Sequence, residues 1–369
     1  MKKRLKDILE YEQPSKYIVD SQNYSDDYQI PVLTAGKSFI LGYTNETEGV
    51  FEASKAPVII FDDFTAASKY VDFDFKVKSS AMKILHLSDP INSLRYVYFA
   101  MQKIDYTPFS HKRIWISDYC NFEIELPTST EQNRIVVELD TIQRAIDLKR
   151  KQLNDLDELV KSKFQEMFGD LRINEKKWSF VPLMEICDVR DGTHESPKYH
   201  LTGYPLLTSK NFTGGTIDFS DVKLISKEDY DAINVRSKVD IGDIVLPMIG
   251  TIGHPVVINV EPEFAIKNVA LIKFKDSKFS NFFIKQVLDS EYFLLYVSLN
   301  NKGNTQKFVS LGDIRKFPIP IVPSSLQILF GEYVQKVDKA KLLLMKEMAD
   351  LDELLDKKMD EYFGEKDKP

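Results

Sequence analysis

Seven apolar residues, Ile135, Leu139, Ile142, Ile146, Leu153, Leu156 and Val160, follow one another at steps of 4, 3, 4, 7, 3 and 4. A repeat near 3.5 residues, the step of 7 spanning two, makes a narrow seam on an α-helix, suited to one partner helix rather than to a broad globular face. The spacing predicts a single helix from about Ser129 to Phe168. At ~1.5 Å per residue it would run ~60 Å, beyond ordinary globular helices. Ser129, three before Gln132, offers a capping box at its start. Gly169 after Phe168 can end it in the left-handed conformation.

The rod has a second copy, displaced by 195 residues. Leu156-Asp157-Glu158-Leu159 meets Leu351-Asp352-Glu353-Leu354, and Phe168-Gly169 meets Phe363-Gly364. Ser324 again stands three before Gln327, and the seam keeps register as Phe330, Val334, Val337, Leu344, Met348, Leu351 and Leu355. Lys149 aligns with Leu344, and Lys341 with Ile146. In an antiparallel pair, Lys149 would lie near Leu344 and Lys341 near Leu153. A seam lysine can fix register at a cost in stability, or simply carry its ammonium out to water.

Each rod follows a mixed, β-rich stretch. In residues 1–128, Tyr28 to Thr34 reads as a strand and Pro57 to Phe61 as a short apolar one. Val71 to Leu85 alternates in its first half, Ser93 to Gln102 reads as a helix and His111 to Ser117 as a last strand. Residues 170–323 repeat that order. Tyr204 to Thr208 matches Ile30 to Thr34, and Gly242 to Leu246 takes the place of residues 57–61. Phe264, Ile266, Lys267, Ala270 and Leu271 match Phe75, Val77, Lys78, Ala81 and Met82. Ser280 to Leu295 is the matching helix, and Lys307, Val309 and Leu311 match Lys112, Ile114 and Ile116. The chain therefore divides into a domain (1–128), a long helix (129–169), a second domain (170–323) and a second long helix (324–369). A duplicated scaffold with unlike loops suggests two similar tasks on two targets.

Charge limits what those tasks are. The formal net charge is −7. Residues 1–128 hold 15 basic and 18 acidic side chains, residues 169–323 hold 19 of each, and neither rod has a basic excess. A protein that holds nucleic acid by its bulk field needs such an excess, so any grip here is local or shared with a partner. The two cysteines, Cys120 and Cys187, give no disulfide framework and suit a reducing cytoplasm. No signal peptide or membrane span is expected. Gly36-Lys37-Ser38 lacks the earlier glycine of a phosphate-binding loop, with Pro31 in its place. The five histidines lack metal-ligand spacing. There is no Asn-Pro-Pro-aromatic sequence for base methylation, no nuclease centre and no Gly-x-Ser-x-Gly.

What remains is a set of polar loops at strand ends: Asp191 to Tyr199, Thr208 to Asn211 and Lys302 to Lys307. They combine phosphate-binding Lys, Ser and Thr with Asn, Gln and His, which read base edges. Any one of these residues is as readily an ordinary solvated loop residue; as a set, shaped by Pro and Gly, they favour a binding face.

The repeat, the rods ending in Phe-Gly and the second domain resemble the specificity subunit of type I restriction–modification systems. The resemblance rests on Trp178 to Val189, Asp191-Gly192-Thr193-His194 with Pro197-Lys198-Tyr199, and Leu207 to Asn211. Gly242-Asp243-Ile244, Gly250-Thr251-Ile252-Gly253, Thr305-Gln306-Lys307 and Ser129-Thr130-Glu131-Gln132 complete it. It covers almost the whole chain and is looser in residues 1–128.

The resemblance implies an α+β protein with two tandem target-recognition domains, each followed by a long helix, the two helices pairing as an antiparallel coiled coil. Each domain would read one half of a split double-stranded DNA site, and the helices would set the gap between the halves. The subunit would have no catalysis of its own. Two methylation subunits would bring S-adenosylmethionine chemistry, and restriction/translocase subunits would bring ATP and magnesium. The candidate DNA contacts are Lys37, Lys69, Lys78, Lys112 and Arg113 in the first domain. In the second they are Thr193, His194, Lys198, Tyr199, Lys210, Asn211, Thr251, Asn304, Thr305, Gln306 and Lys307. Other readings stay open: a recognition subunit of another DNA-modification or phage-defence assembly, a coiled-coil scaffold whose end domains bind proteins, or an enzyme with an unrecognised site.

Overall fold

The computed structural model describes residues 1–34, 38–108, 112–213, 215–249, 253–274, 278–300 and 308–364. The chain divides into two compact units, Met1–Arg150 with Lys346–Pro369, and Lys151–Met345.

In the first unit the strands are β1 (Lys2–Arg4), β2 (Leu9–Glu12), β3 (Ile30–Leu33), β4 (Ile40–Thr44), β5 (Val58–Asp62), β6 (Ser68–Val71), β7 (Lys76–Val77), β8 (Met82–Leu87) and β9 (Glu123–Glu125), with helix α1 (Leu94–Gln102). They form sheets of order β2-β8-β5-β6, β4-β3-β7 and β1-β9. Strand β5, Val-Ile-Ile-Phe-Asp, is buried along its whole length because both faces of its sheet are covered. Its side chains alternate: Ile59 and Phe61 join the core under α1, while Val58 and Ile60 join a second core with Phe75 and Val77.

The second unit repeats this topology. Its strands are β10 (Phe180–Pro182), β11 (Asp188–Asp191), β12 (Tyr204–Leu207), β13 (Phe212–Thr213), β14 (Thr216–Ile217), β15 (Lys223–Ile225), β16 (Ile244–Pro247), β17 (Val256–Val257), β18 (Ala265–Ile266), β19 (Val269–Lys273) and β20 (Pro318–Pro320). The sheets run β11-β19-β16-β17, β15-β12-β18 and β10-β20, with the small hairpin β13-β14 added. Strand β16 again splits its side chains between two cores, Ile244 and Leu246 against Val245. Helix α3 (Lys227–Ser237) stands between β15 and β16, where the first unit has no helix between β4 and β5.

Two expected elements differ. His111 lies outside the described residues, and the rest of the expected last strand is a turn from Trp115 to Asp118. The Asp63 carboxylate accepts the backbone N–H of Ile114 and Trp115 at 3.1 and 2.8 Å, which bends the segment and buries Trp115. The last strand of the domain is instead β9. In the second unit the helix expected from Ser280 to Leu295 is two helices, α4 (Asn281–Leu288) and α5 (Glu291–Asn300), separated at Asp289-Ser290. Helix α6 (Leu311–Lys316) then leads to β20.

The long helices are α2 (Ser129–Phe168) and α7 (Ser324–Phe363). Seam residues at the α2 start (Ile135, Leu139) lie in the first unit's core with Met359, and Val160 lies in the second unit's core with Phe330 and Val334. In the first unit Tyr362 Oη donates to Glu138 at 2.6 Å, Lys358 pairs with Glu138 at 3.0 Å and Lys149 pairs with Glu347. In the second, Lys341 pairs with Asp157 and the Phe164 and Phe330 rings lie 5.5 Å apart. In each unit the partner number falls as the other rises, so the segments run antiparallel. The seam lysines thus carry their ammonium groups to an acidic residue on the facing helix. Such partly exposed pairs are worth ~0.2–1 kcal/mol, so they refine register more than they add stability.

The capping boxes do not form as expected. Thr128, not Ser129, caps α2: its Oγ1 accepts from Glu131 N and its carbonyl accepts from Gln132 N. Gln132 is instead buried, with its Oε1 accepting from the backbone of Ser93, the N-cap of α1, at 2.9 Å, and its Nε2 donating to Pro127 O at 3.0 Å. Gln327 repeats both bonds at 2.9 and 3.1 Å, to Ser280 N at the N-cap of α4 and to Val322 O. Gly169 ends α2 at φ +75, in the left-handed region.

Gln132→Leu should strand the Ser93 N–H and the Pro127 carbonyl. We expect a loss of ~1–3 kcal/mol, read as a lower urea midpoint, and a comparable loss for Gln327→Leu. Unchanged midpoints in both variants would show that neither side chain anchors its short helix.

Candidate nucleic-acid interface

In each unit a short strand pairs parallel to a longer one, β7 with β3 and β18 with β12. The residue after the short strand is a lysine both times. Lys78 donates its backbone N–H to Leu33 O at 2.8 Å, and Lys267 donates to Leu207 O at 2.8 Å. The entering segment repeats too: Val19 N donates to Val77 O, and Thr193 N to Ile266 O, each at 3.0 Å. Buried Val77 and Ile266 fix the strands from below, so the loops above them are free to differ.

In the first unit the corner gathers Lys78, whose ammonium stands 5.7 Å from the Tyr24 ring, and Arg113, which donates to Ser80 O at 3.4 Å. Lys112 is exposed beside Arg113, and Lys69 is exposed on β6. In the second unit the corner gathers Thr193, His194, Ser209, Lys267 and Asn268. Lys267 Nζ donates to Ser196 Oγ at 2.5 Å, and Ser209 Oγ donates to the Asn268 carbonyl at 3.3 Å. Asn268 sits at φ 56, a left-handed conformation that Asn tolerates better than most residues. An open cleft of about 410 Å³ lies between the Thr193–Pro197 segment and α3.

His194 is held on both sides. Its Nδ1 is 2.8 Å from Asn268 Oδ1 and its Nε2 is 2.5 Å from Asp191 Oδ2. The bond to Asn268, then the bond to Asp191, raises its pKa above the usual imidazole value. A raised folded-state pKa stabilises the fold fully below the unfolded imidazole value of ~6.5, and that contribution is lost as pH rises through the folded value.

Asn211 is turned inward. Its Oδ1 accepts from Thr208 N at 2.9 Å, while its Nδ2 donates to the carbonyls of Asp218 and Asp221 at 3.0 and 3.1 Å. It shapes the turn that presents exposed Lys210. Lys198 and Tyr199 are exposed further along the 191–199 loop. Lys37, Thr251, Asn304, Thr305, Gln306 and Lys307 lie outside the described residues. Asp191, Lys267 and Asn268 were not among the candidate contacts, although the match of Lys78 to Lys267 across the repeats already marked the position. Among the described residues no group of three or more His, Cys, Asp or Glu side chains could hold a metal ion, and no helix is long and apolar enough to cross a membrane.

Asn211→Ala should lower stability by ~1–3 kcal/mol, because two carbonyls and one N–H lose a partially buried partner. A denaturation midpoint equal to that of the unchanged protein would show that the turn does not depend on this amide.

A family model described as the type I restriction modification DNA specificity domain matches residues 1–158 and 175–351. The specificity subunit of the Escherichia coli type I restriction enzyme EcoR124I/EcoR124II is 51% identical over 146 residues, 39% of this chain and 36% of that protein. The MjaVIII specificity subunit of Methanocaldococcus jannaschii is 24% identical over 251 residues, 63% of this chain and 59% of that protein. The matched stretches thus span from about a third to three-fifths of these relatives' own lengths. The crystal structure of the type I restriction–modification S subunit from M. genitalium superposes with a TM-score of 0.56 at 16% identity, over 100% of this chain and 96% of that one, which is a likeness of fold.

Proposed function

The chain belongs to the family of type I restriction–modification DNA specificity domains, and we propose that it is the DNA-specificity subunit of such a system, reading a split double-stranded site. The observation that carries this reading is the duplicated corner. Lys78 and Lys267 occupy the same place in the two repeats, bonded to the equivalent strand carbonyl, while the side chains around them differ, Tyr24 and Arg113 in one and His194, Ser196 and Asn268 in the other. One scaffold used twice with unlike loops suits two half-sites of unlike sequence. The candidate contacts named above would divide accordingly between residues 1–128 and residues 170–323.

The proposed subunit performs no chemistry. Two methylation subunits would supply S-adenosylmethionine chemistry, and restriction/translocase subunits would supply ATP- and magnesium-dependent steps. A docking surface for such partners is suggested by Ile328, Leu329, Leu342 and Leu343 of α7, which are exposed and recur 14 residues apart on one helical face. The charge balance supports the same division of labour, because partners would provide part of the phosphate grip.

The test is an exchange of residues 1–128 for the equivalent domain of a relative, co-expressed with a methylation subunit, followed by sequencing of methylated sites. One half of the methylated motif should change while the other stays. Simultaneous change of both halves, or no split motif at all, would sink the reading. In the same system Lys78→Ala and Lys267→Ala should each weaken binding across sequences and lower the salt slope by ~1.

A further inference from the structure

We propose that His194 is a positioning residue for DNA recognition by the second domain: it ties Asp191 to Asn268 as an imidazolium, so this half of the readout weakens as the ring loses its proton. The inference rests on the DNA-specificity reading above and goes beyond it by giving one half-site a proton dependence. Both ring nitrogens face oxygen acceptors, Asp191 Oδ2 and Asn268 Oδ1. Only the doubly protonated ring offers two N–H donors.

The two acceptors are unequal. Asp191 is buried, its Oδ1 has no hydrogen-bond partner, and His194 is the side-chain partner of its Oδ2 among the described residues. A buried carboxylate keeps whatever donor remains. On deprotonation the single N–H therefore stays with Asp191, and Asn268 Oδ1 loses its donor; the amide keeps a bond only by turning to offer Nδ2 to the bare ring nitrogen, which resets the joint. Asn268 follows Lys267, donates its backbone N–H to Thr193 O at 3.1 Å and accepts from Ser209. It is the joint between three loops of the corner. The charged neighbours act both ways: Asp191 favours the imidazolium and Arg236, across the cleft on α3, opposes it, while Glu195 and Asp229 line the same cleft and Lys267 is held on Ser196. In the first unit Ile18 and Val19 pair with Val77 at the corresponding place, with no histidine beside them.

The experiment uses the full chain assembled with its methylation subunit and a duplex carrying the split sequence found methylated in cells. Affinity is measured from about pH 5.5 to about pH 8.5, a window that brackets the free imidazole value. The unchanged protein should lose up to about tenfold in affinity with rising pH, the scale of one net hydrogen bond. His194→Gln and Asn268→Ala should bind at the weak, high-pH level throughout. Asp191→Asn, which removes the carboxylate that favours the charged ring, should move the midpoint to lower pH. Sequence-specific binding with a flat profile, or a His194→Gln profile that follows the unchanged protein, would overturn the proposal and leave the DNA reading intact. No specific binding at any pH would overturn both.

Discussion

One short helix in each unit ties down two long-helix ends, and the rest of that unit is arranged around the tie. In the first unit α1 receives Gln132 at its N-cap and packs Tyr96 on Phe363, ring centres 5.2 Å apart. In the second, α4 receives Gln327 at its N-cap and packs Phe283 on Phe168 at 4.9 Å. Each tie thus joins a buried amide to an aromatic contact, the first directional and the second worth ~0.5–1.5 kcal/mol beyond its buried area. A two-helix seam buries little by itself: Leu153, Leu156, Leu344 and Leu351 are only half-buried. Anchoring the ends in globular cores supplies what the seam lacks.

The same ties explain where the repeats are free to diverge. Core positions such as Ile59 and Ile244 are held by packing on both sides of a central strand. The polar corners are held by backbone hydrogen bonds at Lys78 and Lys267, which constrain chain path without constraining side chains. The second unit has used that freedom to add α3 and the hairpin of β13 and β14, and to place a histidine between Asp191 and Asn268.

Long-period features were legible in the sequence because period is a property of the chain itself. The 3.5-residue seam gave α2, and the register of its copy gave α7. The uniform apolar runs gave β5 and β16. What failed depended on residues far away in sequence. Ile114 and Ile116 alternate like a strand, yet Asp63, some fifty residues earlier, captures two successive backbone N–H groups and turns the segment, leaving Ile116 exposed. Gln132 fits a capping box by spacing, but burial offered it a better partner in Ser93. In the candidate site, the loops were found by composition, while the inward turn of Asn211 and the role of Asn268 needed the backbone path of three loops at once.

Charge then decides how such a corner can work. The chain carries a net −7, so approach to DNA would be opposed rather than steered by its long-range field. The one lysine held alike in both corners would neutralise about one phosphate in each, far fewer than the several contacts behind tight binding at physiological salt. The second corner offsets its cations further with Asp191, Glu195 and Asp229 close by. On the proposed reading such a surface would gain little from phosphate attraction and depend correspondingly on shape and on base-edge hydrogen bonds. Rigidity of the loops would then matter more here than in a basic DNA-binding protein. On the proposed reading, a buried carboxylate, a histidine and a left-handed asparagine at one joint would therefore bear on which sequence is read.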